Sequence, residues 1–286
     1  MKVFLECIPC FLKQALEAVR LATLDETLQE KALRVVLQEI GKISWNTSPP
    51  HIGWKVHRLV KQITGNSDPY ALLKEQSNET ALRLYPGLET RVKEAVDPFE
   101  MAVRLALAGN MIDFGARPGE KVDIEKEIEE VMHAPLDKRA LAGFKNAVVR
   151  ANRVLFLGDN AGEIVFDKLL IQQIGPEKIT YAVKAKPIIN DATLEDAKVV
   201  GLTELVPVID NGSDYPGTVL TACSQTFLDI YKRADIVVAK GQGNYETLND
   251  VDKPIVFLLK VKCPVIARDV KKQVGDLVIY LHNVYI

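Results

Sequence analysis

Three short polar clusters, each following an apolar run, contain the residues of this sequence that are best suited to chemistry. The clusters are Gly158–Glu163, Asn190 with Asp191, and Lys240–Asn244. The apolar runs before them are rich in β-branched and aromatic residues, as strands are, and they are Val154–Leu157, Ile179–Val183 and Ile236–Ala239. In a parallel sheet the carboxyl ends of all strands face one edge. We therefore expect the three clusters to converge in one crevice.

Oxygen atoms of Asp159, Asn160 and Asp191 would suit a hard divalent cation. Mg²⁺ and Mn²⁺ prefer such ligands and keep waters that a substrate phosphate can replace, and Co²⁺ and Ni²⁺ are further candidates. The four histidines are scattered and form no close pair for a softer metal; they are His51, His57, His133 and His282. The sequence therefore predicts a hard-cation site.

The glycines and the lysine of these clusters would suit a phosphate group. Gly158 and Gly162 flank the turn from a strand into a helix, where backbone N–H groups and the helix dipole attract anions. Lys240 adds a second positive group, with room left by Gly241 and Gly243. A cation, a lysine and backbone donors around a phosphate are the parts that phosphoryl transfer requires.

The same residues also have a purely structural interpretation. Asp159, Asn160 and Asp191 would then cap helices, and the glycines after Lys240 would form a turn. One such cluster alone favours this interpretation. Three clusters at the same sheet edge favour a functional site.

The elements that position these clusters differ between the two halves of the chain. Apolar residues up to about residue 145 recur at helical spacing, as in Leu33, Val36, Leu37 and Ile40. The apolar helix predicted over Met101–Ala108 is expected to end at Gly109. After residue 150, short strand-like runs, among them Leu205–Ile209, alternate with helix-length connections, which is typical of βαβ units. We predict a mainly helical domain, 1–145, that contributes to the cleft. We predict that 146–286 form a Rossmann-like three-layer α/β/α domain with a mainly parallel sheet that carries the metal site.

Composition excludes several classes of protein. The 286 residues carry a formal net charge of −2, so there is no basic surface for a nucleic-acid backbone. No run of about 20 apolar residues could span a membrane, and charged residues interrupt the apolar N-terminus before a signal-peptide core forms. Four cysteines are too few for a disulfide scaffold. We expect a cytoplasmic protein, and no feature of the sequence sets an oligomeric state.

Two of the cysteines, Cys7 and Cys10, form a CxxC pair. A structural zinc site needs a second pair of thiolates or imidazoles, and Cys223 and Cys263 stand alone in the sequence. We therefore predict a buried or weakly redox-active pair, outside the catalytic set.

Six segments together resemble the metal-dependent damage-control phosphatases, a family formerly classed as a domain of unknown function. The first three are VLFLGDNAGEIVFD, AKPIINDATLEDA and AKGQGNYETL, and the others are the N-terminal ECIPC, GNSDPY and AGNMIDFG. The resemblance extends over nearly the whole chain. The opening CxxC is similar to that of the archaeal and bacterial branch.

This resemblance implies a helical region packed on a Rossmann-like domain, and hydrolysis of small phosphorylated metabolites such as sugar phosphates and damaged side products. It implies a divalent metal held by Asp159, Asn160 and Asp191. It also implies a phosphate pocket formed by Lys240 and Asn244, with Asn110 and Asp113 reaching over the crevice from the helical half. One branch has been proposed to methylate protein carboxyl groups with S-adenosylmethionine.

The function that we predict is a divalent-metal-dependent phosphomonoester phosphatase. Gly162 and Glu163, with Lys240, would hold phosphate oxygens. A metal-activated water is the predicted nucleophile, because the loop after the first strand lacks a second aspartate two residues after Asp159. The general base is Glu163, Asp113 or Asp191. The alternatives are an S-adenosylmethionine-dependent carboxyl methyltransferase and a non-catalytic metabolite-binding protein.

Overall fold

The N-terminal half of the protein is helical in the computed structural model, which describes residues 1–111 and 124–284. Its helices are α1 (Cys7–Ala22), α2 (Glu26–Ile40), α3 (Pro49–Thr64), α4 (Ala71–Glu94), α5 (Pro98–Met111), α6 (Ile124–His133) and α7 (Lys138–Arg150). Helices α1 to α3 pack around a core of their own that includes Ala15, Val36 and Val56. No helix within the described ranges is long and apolar enough to cross a membrane.

The C-terminal half is built on one sheet of six strands. The strands are β1 (Val154–Leu157), β2 (Ile179–Val183), β3 (Val208–Asp210), β4 (Ile236–Lys240), β5 (Ile255–Lys260) and β6 (Leu277–His282). Their spatial order is β3-β2-β1-β4-β5-β6, and every neighbouring pair is parallel except β5 with β6. This is the strand order of doubly wound sheets. The predicted α/β fold, a mainly parallel sheet with an N-terminal helical part, is confirmed.

Helices cover both faces of this sheet. They are α8 (Glu163–Ile174), α9 (Leu194–Val199), α10 (Gln225–Arg233), α11 (Gly241–Leu248) and α12 (Pro264–Val270). Successive side chains of a strand point to opposite faces. In β1, Val154 and Phe156 accordingly lie in the core shared with α8, and Leu155 and Leu157 lie in the core shared with α10 to α12.

One predicted strand, Leu205–Ile209, is displaced in the structure. The strand β3 begins at Val208, and Leu202–Glu204 form a 3₁₀ turn before it. Pro207 has no N–H to donate to a ladder, so the register with β2 begins at Val208, although the carbonyl of Pro207 accepts from the N–H of Tyr181 at 2.9 Å.

Helix α5 continues beyond the point where the sequence predicts its end. Gly109 was expected to close the helix, but α5 runs to Met111. A Cβ at Gly109 would lie 3.2 Å from Cγ of Glu163 and 3.2 Å from Cβ of Phe166. The glycine is therefore explained by close packing of α5 on α8, and the predicted helix end is wrong.

The predicted boundary between residues 145 and 146 falls inside α7. Apolar residues of α4, α5 and α7 share a core with β1 and α8, and they include Leu88, Leu105 and Phe144. The division into two domains at this position stays a prediction.

Candidate functional site

The first two polar clusters lie side by side at the carboxyl ends of β1 and β2. The N–H of Ala192 donates to the carbonyl of Asp159 at 2.8 Å, and the N–H of Ala161 donates to the carbonyl of Asn190 at 2.9 Å. Asn160 and Asp191 form a short antiparallel bridge. Backbone hydrogen bonds thus hold Asp159, Asn160 and Asp191 next to one another, although 30 residues separate the two segments in the sequence.

A cavity of about 260 Å³ opens above these residues. Its floor includes Asp159, Asn160 and Asp191. Two residues of the third cluster, Gln242 and Gly243, also line the cavity. The helical half supplies the opposite wall, which includes Cys7, Cys10, Phe11, Gln14, Pro50 and Gly53. The site therefore lies between the sheet edge and the N-terminal helices.

Gly241 allows the third cluster to approach the first. Its φ of +76° is in the left-handed region, and a Cβ at this position would overlap the carboxylate of Asp159. Only glycine meets both requirements without strain. The close contact with Asp159 therefore explains why the residue after Lys240 is a glycine.

The two aspartates of the floor occupy an environment that disfavours their charged forms. Burial, together with the charges of Glu163 and Asp191, raises the pKa of Asp159 to about 8. Asp159 keeps some surface exposed toward the cavity, but protein atoms surround its carboxyl group. Burial also raises the pKa of Asp191 to about 6, against the opposing charge of Lys184. The site is short of positive charge.

One carboxylate oxygen on the floor of the cavity accepts no hydrogen bond from the part of the chain that the structure describes. Oδ2 of Asp191 is buried and has no hydrogen-bond partner among the described residues. The nearest ammonium, Nζ of Lys184, lies 3.5 Å away and donates to the carbonyl of Gly217. A buried carboxylate oxygen that accepts no hydrogen bond is costly unless a cation or water completes its contacts, and the ion pair with Lys184 supplies part of that charge.

The donor set fits a hard cation. Nδ2 of Asn160 donates to Oδ2 of Asp159 at 2.9 Å and to Oε2 of Glu163 at 2.9 Å, which leaves its Oδ1 as a ligand atom. Two carboxylates and an amide oxygen are ligands that Mg²⁺ and Mn²⁺ accept. Within the described ranges, no group of three His, Cys, Asp or Glu side chains lies close enough together to hold a metal ion. Here the third ligand would be an asparagine.

Lys240 lies beneath the floor and does not line the cavity. Its side chain is fully buried, and Nζ contacts Oε1 of Glu163 at 2.7 Å and Oδ1 of Asp167 at 2.5 Å. Burial alone would lower the pKa of Lys240, yet the carboxylates of Asp167 and Glu163 raise it. This placement differs from the expected exposure to substrate, and direct contact between this ammonium and a phosphate stays a prediction.

The buried ion pairs continue away from the cavity. Oδ2 of Asp167 accepts a hydrogen bond from the hydroxyl of Tyr181 at 2.7 Å. The chain of contacts therefore runs from Tyr181 through Asp167, Lys240 and Glu163 to Asn160. The sequence interpretation missed Asp167, although its position four residues after Glu163 places both carboxylates on one face of α8.

The other residues expected to bind substrate are also used in packing. Nδ2 of Asn244 donates to the carbonyl of Lys240 at 2.7 Å, and its Oδ1 accepts from Thr218 at 2.7 Å. Gly162 and Glu163 are buried behind the floor. Asn110 lies in the last turn of α5, and Asp113 is outside the described residues. The substrate-binding roles of this set stay predictions.

The capping interpretation does not describe the aspartates of the floor. Helix α8 has Gly162 at its N-cap, with no side-chain cap. Helix α9 is capped by Thr193, which forms a capping box with Asp196. Asp159, Asn160 and Asp191 therefore perform no capping function at these two helices.

Asn78 of the helical half supports the loop after β1. Its Oδ1 accepts from the N–H of Gly162 at 2.7 Å, and its Nδ2 donates to Oδ1 of Asp196 at 3.0 Å. Lys74, one turn earlier on α4, pairs with Asp68 at 2.9 Å and with Asp196 at 3.5 Å. The N–H of Gly162 is thus engaged by Asn78, and its predicted contact with a phosphate stays a prediction.

Lys262 was also missed. Among the described residues that line the cavity, it is the only lysine or arginine, and its side chain is exposed. Its positive charge favours the ionised form of Asp159. It lies two residues after the end of β5, so the rule that strand ends carry function would have found it.

Paired carboxylates and a lysine line a cavity at the strand ends of an α/β sheet. The chain belongs to the damage-control phosphatase ARMT1-like domain family, whose model matches residues 3–278. The family predicted from the sequence is confirmed.

Relatives from archaea match the chain over nearly its full length. It is 36% identical to a damage-control phosphatase of Pyrococcus horikoshii, over 97% of each chain. It is 35% identical to a damage-control phosphatase of Archaeoglobus fulgidus, over 97% of this chain and 98% of the relative. The crystal structure of a DUF89 family protein from Pyrococcus horikoshii superimposes with a TM-score of 0.90 at 35% identity, covering 99% of this chain and 100% of that one. These relatives support phosphatase activity.

Proposed function

We propose that this protein is a divalent-metal-dependent phosphatase that hydrolyses phosphomonoesters of small phosphorylated metabolites. The observation that carries the proposal is the buried oxygen of Asp191 without a hydrogen-bond partner, beside Asp159 and Asn160 on the floor of the cavity. Membership of a phosphatase family supports the reaction class. The cavity of about 260 Å³ fits a small substrate better than a macromolecule.

The cation would be held by oxygens of Asp159, Asn160 and Asp191. When bound, it would neutralise charge on the phosphate and polarise the bond that breaks. Glu163 fixes the amide of Asn160 through Oε2, and Lys240 fixes Glu163 through Oε1. The buried ion pairs beneath the floor therefore orient a ligand, as supporting hydrogen bonds do in metal sites generally.

We assign Lys262 to the phosphate. It is the lysine whose ammonium is free to reach into the cavity, whereas Lys240 is enclosed by two carboxylates. A positive group placed where charge develops stabilises the transition state. The substrate chain or sugar would then contact the opposite wall, which the helical half supplies.

The test is a panel of small phosphomonoesters assayed with Mg²⁺, Mn²⁺, Co²⁺ and Ni²⁺. We expect release of inorganic phosphate with at least one metal and none after chelation. Asp191→Asn should lower the rate by about 10²-fold or more, in the range of removing one preorganised group. Asp210→Asn is the matched control, because Asp210 also ends a strand but lies outside the cavity.

Two results would contradict the proposal. Transfer of a methyl group from S-adenosylmethionine that persists in chelator would favour the methyltransferase. Binding of phosphorylated metabolites without turnover under any metal would favour a non-catalytic binding protein.

A further inference from the structure

Cys263 lies beside the CxxC pair in the folded chain. Cys7, Cys10 and Cys263 all line the same cavity, together with Glu246. No described cysteine forms a disulfide. The sequence argument against a thiolate site depended on the isolation of Cys263, and folding removes that isolation.

Two elements bring the thiols together. Cys7 is the first residue of α1, Cys10 follows in the next turn, and Cys263 comes directly before α12. Arg268 of α12 pairs with Glu6 at 2.8 Å, which joins α12 to the residue preceding Cys7. Residues about 250 positions apart in sequence therefore share one wall of the cavity.

Each of the three thiols accepts a weak hydrogen bond from a nearby N–H group. The N–H of Phe4 lies 3.5 Å from Sγ of Cys7, and Nε2 of Gln14 lies 3.5 Å from Sγ of Cys10. Nε2 of Gln242 lies 3.7 Å from Sγ of Cys263 and donates to Oε1 of Glu246 at 2.8 Å. Sulfur is a weak acceptor, so these contacts hold the thiols loosely.

The surroundings of Cys7 and Cys10 disfavour the thiolate form. Burial, with the nearby charges of Glu246 and Cys263, raises the pKa of Cys10. Burial likewise raises the pKa of Cys7. Such thiols are poor nucleophiles, and a soft metal is one partner that deprotonates them.

We propose that Cys7, Cys10 and Cys263 bind a zinc-type soft cation, with Glu246 as the fourth ligand. Three thiolates and one carboxylate meet the tetrahedral preference of Zn²⁺. Within residues 1–111 and 124–284 no such ligand set is already assembled, so binding requires the three thiols to rotate and to release their protons to solvent. The site is independent of the phosphatase proposal, because it uses sulfur ligands where the floor of the cavity uses oxygen.

The test is titration of the metal-stripped full chain with Zn²⁺ alone against a chromophoric chelator. We expect one tightly bound equivalent, and X-ray absorption showing sulfur ligands at about 2.3 Å. Cys263→Ser should lower the Zn²⁺ affinity by at least about 10–100-fold. Glu246→Gln should lower it while keeping the stoichiometry. Cys223→Ser is the matched control, since Cys223 is also half-buried but does not line the cavity.

Two further measurements separate this site from the oxygen site and from misfolding. Asp191→Asn should keep the tight Zn²⁺ equivalent. Circular dichroism of each metal-free variant shows whether it folds. If a serine variant does not fold, the Zn²⁺ affinity of Glu246→Gln provides the test instead. Equal affinity in wild type and Cys263→Ser, an absorption spectrum with oxygen and nitrogen ligands only, or loss of the tight equivalent in Asp191→Asn would overturn the proposal.

Discussion

Asn78 accepts a hydrogen bond from the N–H of Gly162 at 2.7 Å, and this bond joins helix α4 to the loop that carries Asp159 and Asn160. Asn78 is buried, with 2% of its surface exposed. The amide of Asn78 therefore joins the helical half to the loop that carries two of the proposed metal ligands. We expect the proposed site at the strand ends to depend on the N-terminal helices through this contact.

The first prediction follows from this bond. Asn78→Ala should lower kcat in the metal-dependent assay and lower the free energy of unfolding by about 1–3 kcal/mol, the cost of a buried group left without a partner. Asn66→Ala is the control. Asn66 also bonds backbone groups within the helical half, at the carbonyl of Ala22 and the N–H of Asp68, so that variant should lose stability and keep its kcat. Equal effects on kcat would show that Asn78 is merely structural.

The second prediction concerns Lys240, whose ammonium lies between two buried carboxylates. Lys240→Met should destabilise the protein by about 3–5 kcal/mol, because removing one member of a buried ion group leaves uncompensated charge. Adding Glu163→Gln and Asp167→Asn should recover much of that loss. The measurement is chemical denaturation of the three proteins. A stable Lys240→Met protein with weakened phosphate inhibition would restore Lys240 as a direct phosphate ligand.

The third prediction tests Lys262. Lys262→Met should reduce kcat/KM by about 10²-fold, on the scale of one preorganised donor, and should weaken inhibition by inorganic phosphate. Thermal stability should stay unchanged, since the side chain is exposed. Lys272→Met is the control, because Lys272 is exposed outside the cavity. Unchanged phosphate inhibition in Lys262→Met would show that the phosphate binds elsewhere.

The convergence of the strand-end clusters is the part of the site that sequence could predict. Strand position and parallel pairing are encoded locally, by β-branched runs and by helix-length connections, and they determine which edge Asp159, Asp191 and Lys240 reach. In the structure, the hydrogen bond from the N–H of Ala192 to the carbonyl of Asp159 joins the first two clusters.

Local sequence patterns could not predict the direction in which individual side chains point. Lys240 is the last residue of β4, one residue beyond the predicted end of that strand. Its ammonium turns to α8 because Glu163 and Asp167 lie there, and their positions depend on how α8 packs. Cys263 and Asn78 likewise have partners far away in sequence. Such contacts are determined by packing between distant segments, for which a single sequence carries no periodic signal.

The fourth prediction is a pH dependence of stability caused by His57. Burial, with the charge of Lys61, lowers the pKa of His57 to about 3, from 6.5. The unfolded chain therefore binds more protons than the folded one between these pH values, and stability falls as pH decreases from about 6.5 toward 3. The slope contributed by one group is at most about 1.4 kcal/mol per pH unit. His57→Leu should flatten this part of the stability profile, measured by denaturation at several pH values. An unchanged slope would mean that other groups cause it.

The last prediction uses two glycines with nearly the same backbone conformation. Gly241 has φ +76° and would place a Cβ onto the carboxylate of Asp159, whereas Gly65 has φ +72° with nothing within 4 Å of such a Cβ. Gly65→Ala should therefore cost only the left-handed conformation, about 1–2 kcal/mol. Gly241→Ala should cost more and should also weaken Mn²⁺ binding, because Asp159 must move away. The measurements are unfolding free energy and Mn²⁺ affinity for both variants. If both lost the same stability and Gly241→Ala kept wild-type Mn²⁺ affinity, the carboxylate of Asp159 would not be held against Gly241 in solution, and its place on the cavity floor would have to be revised.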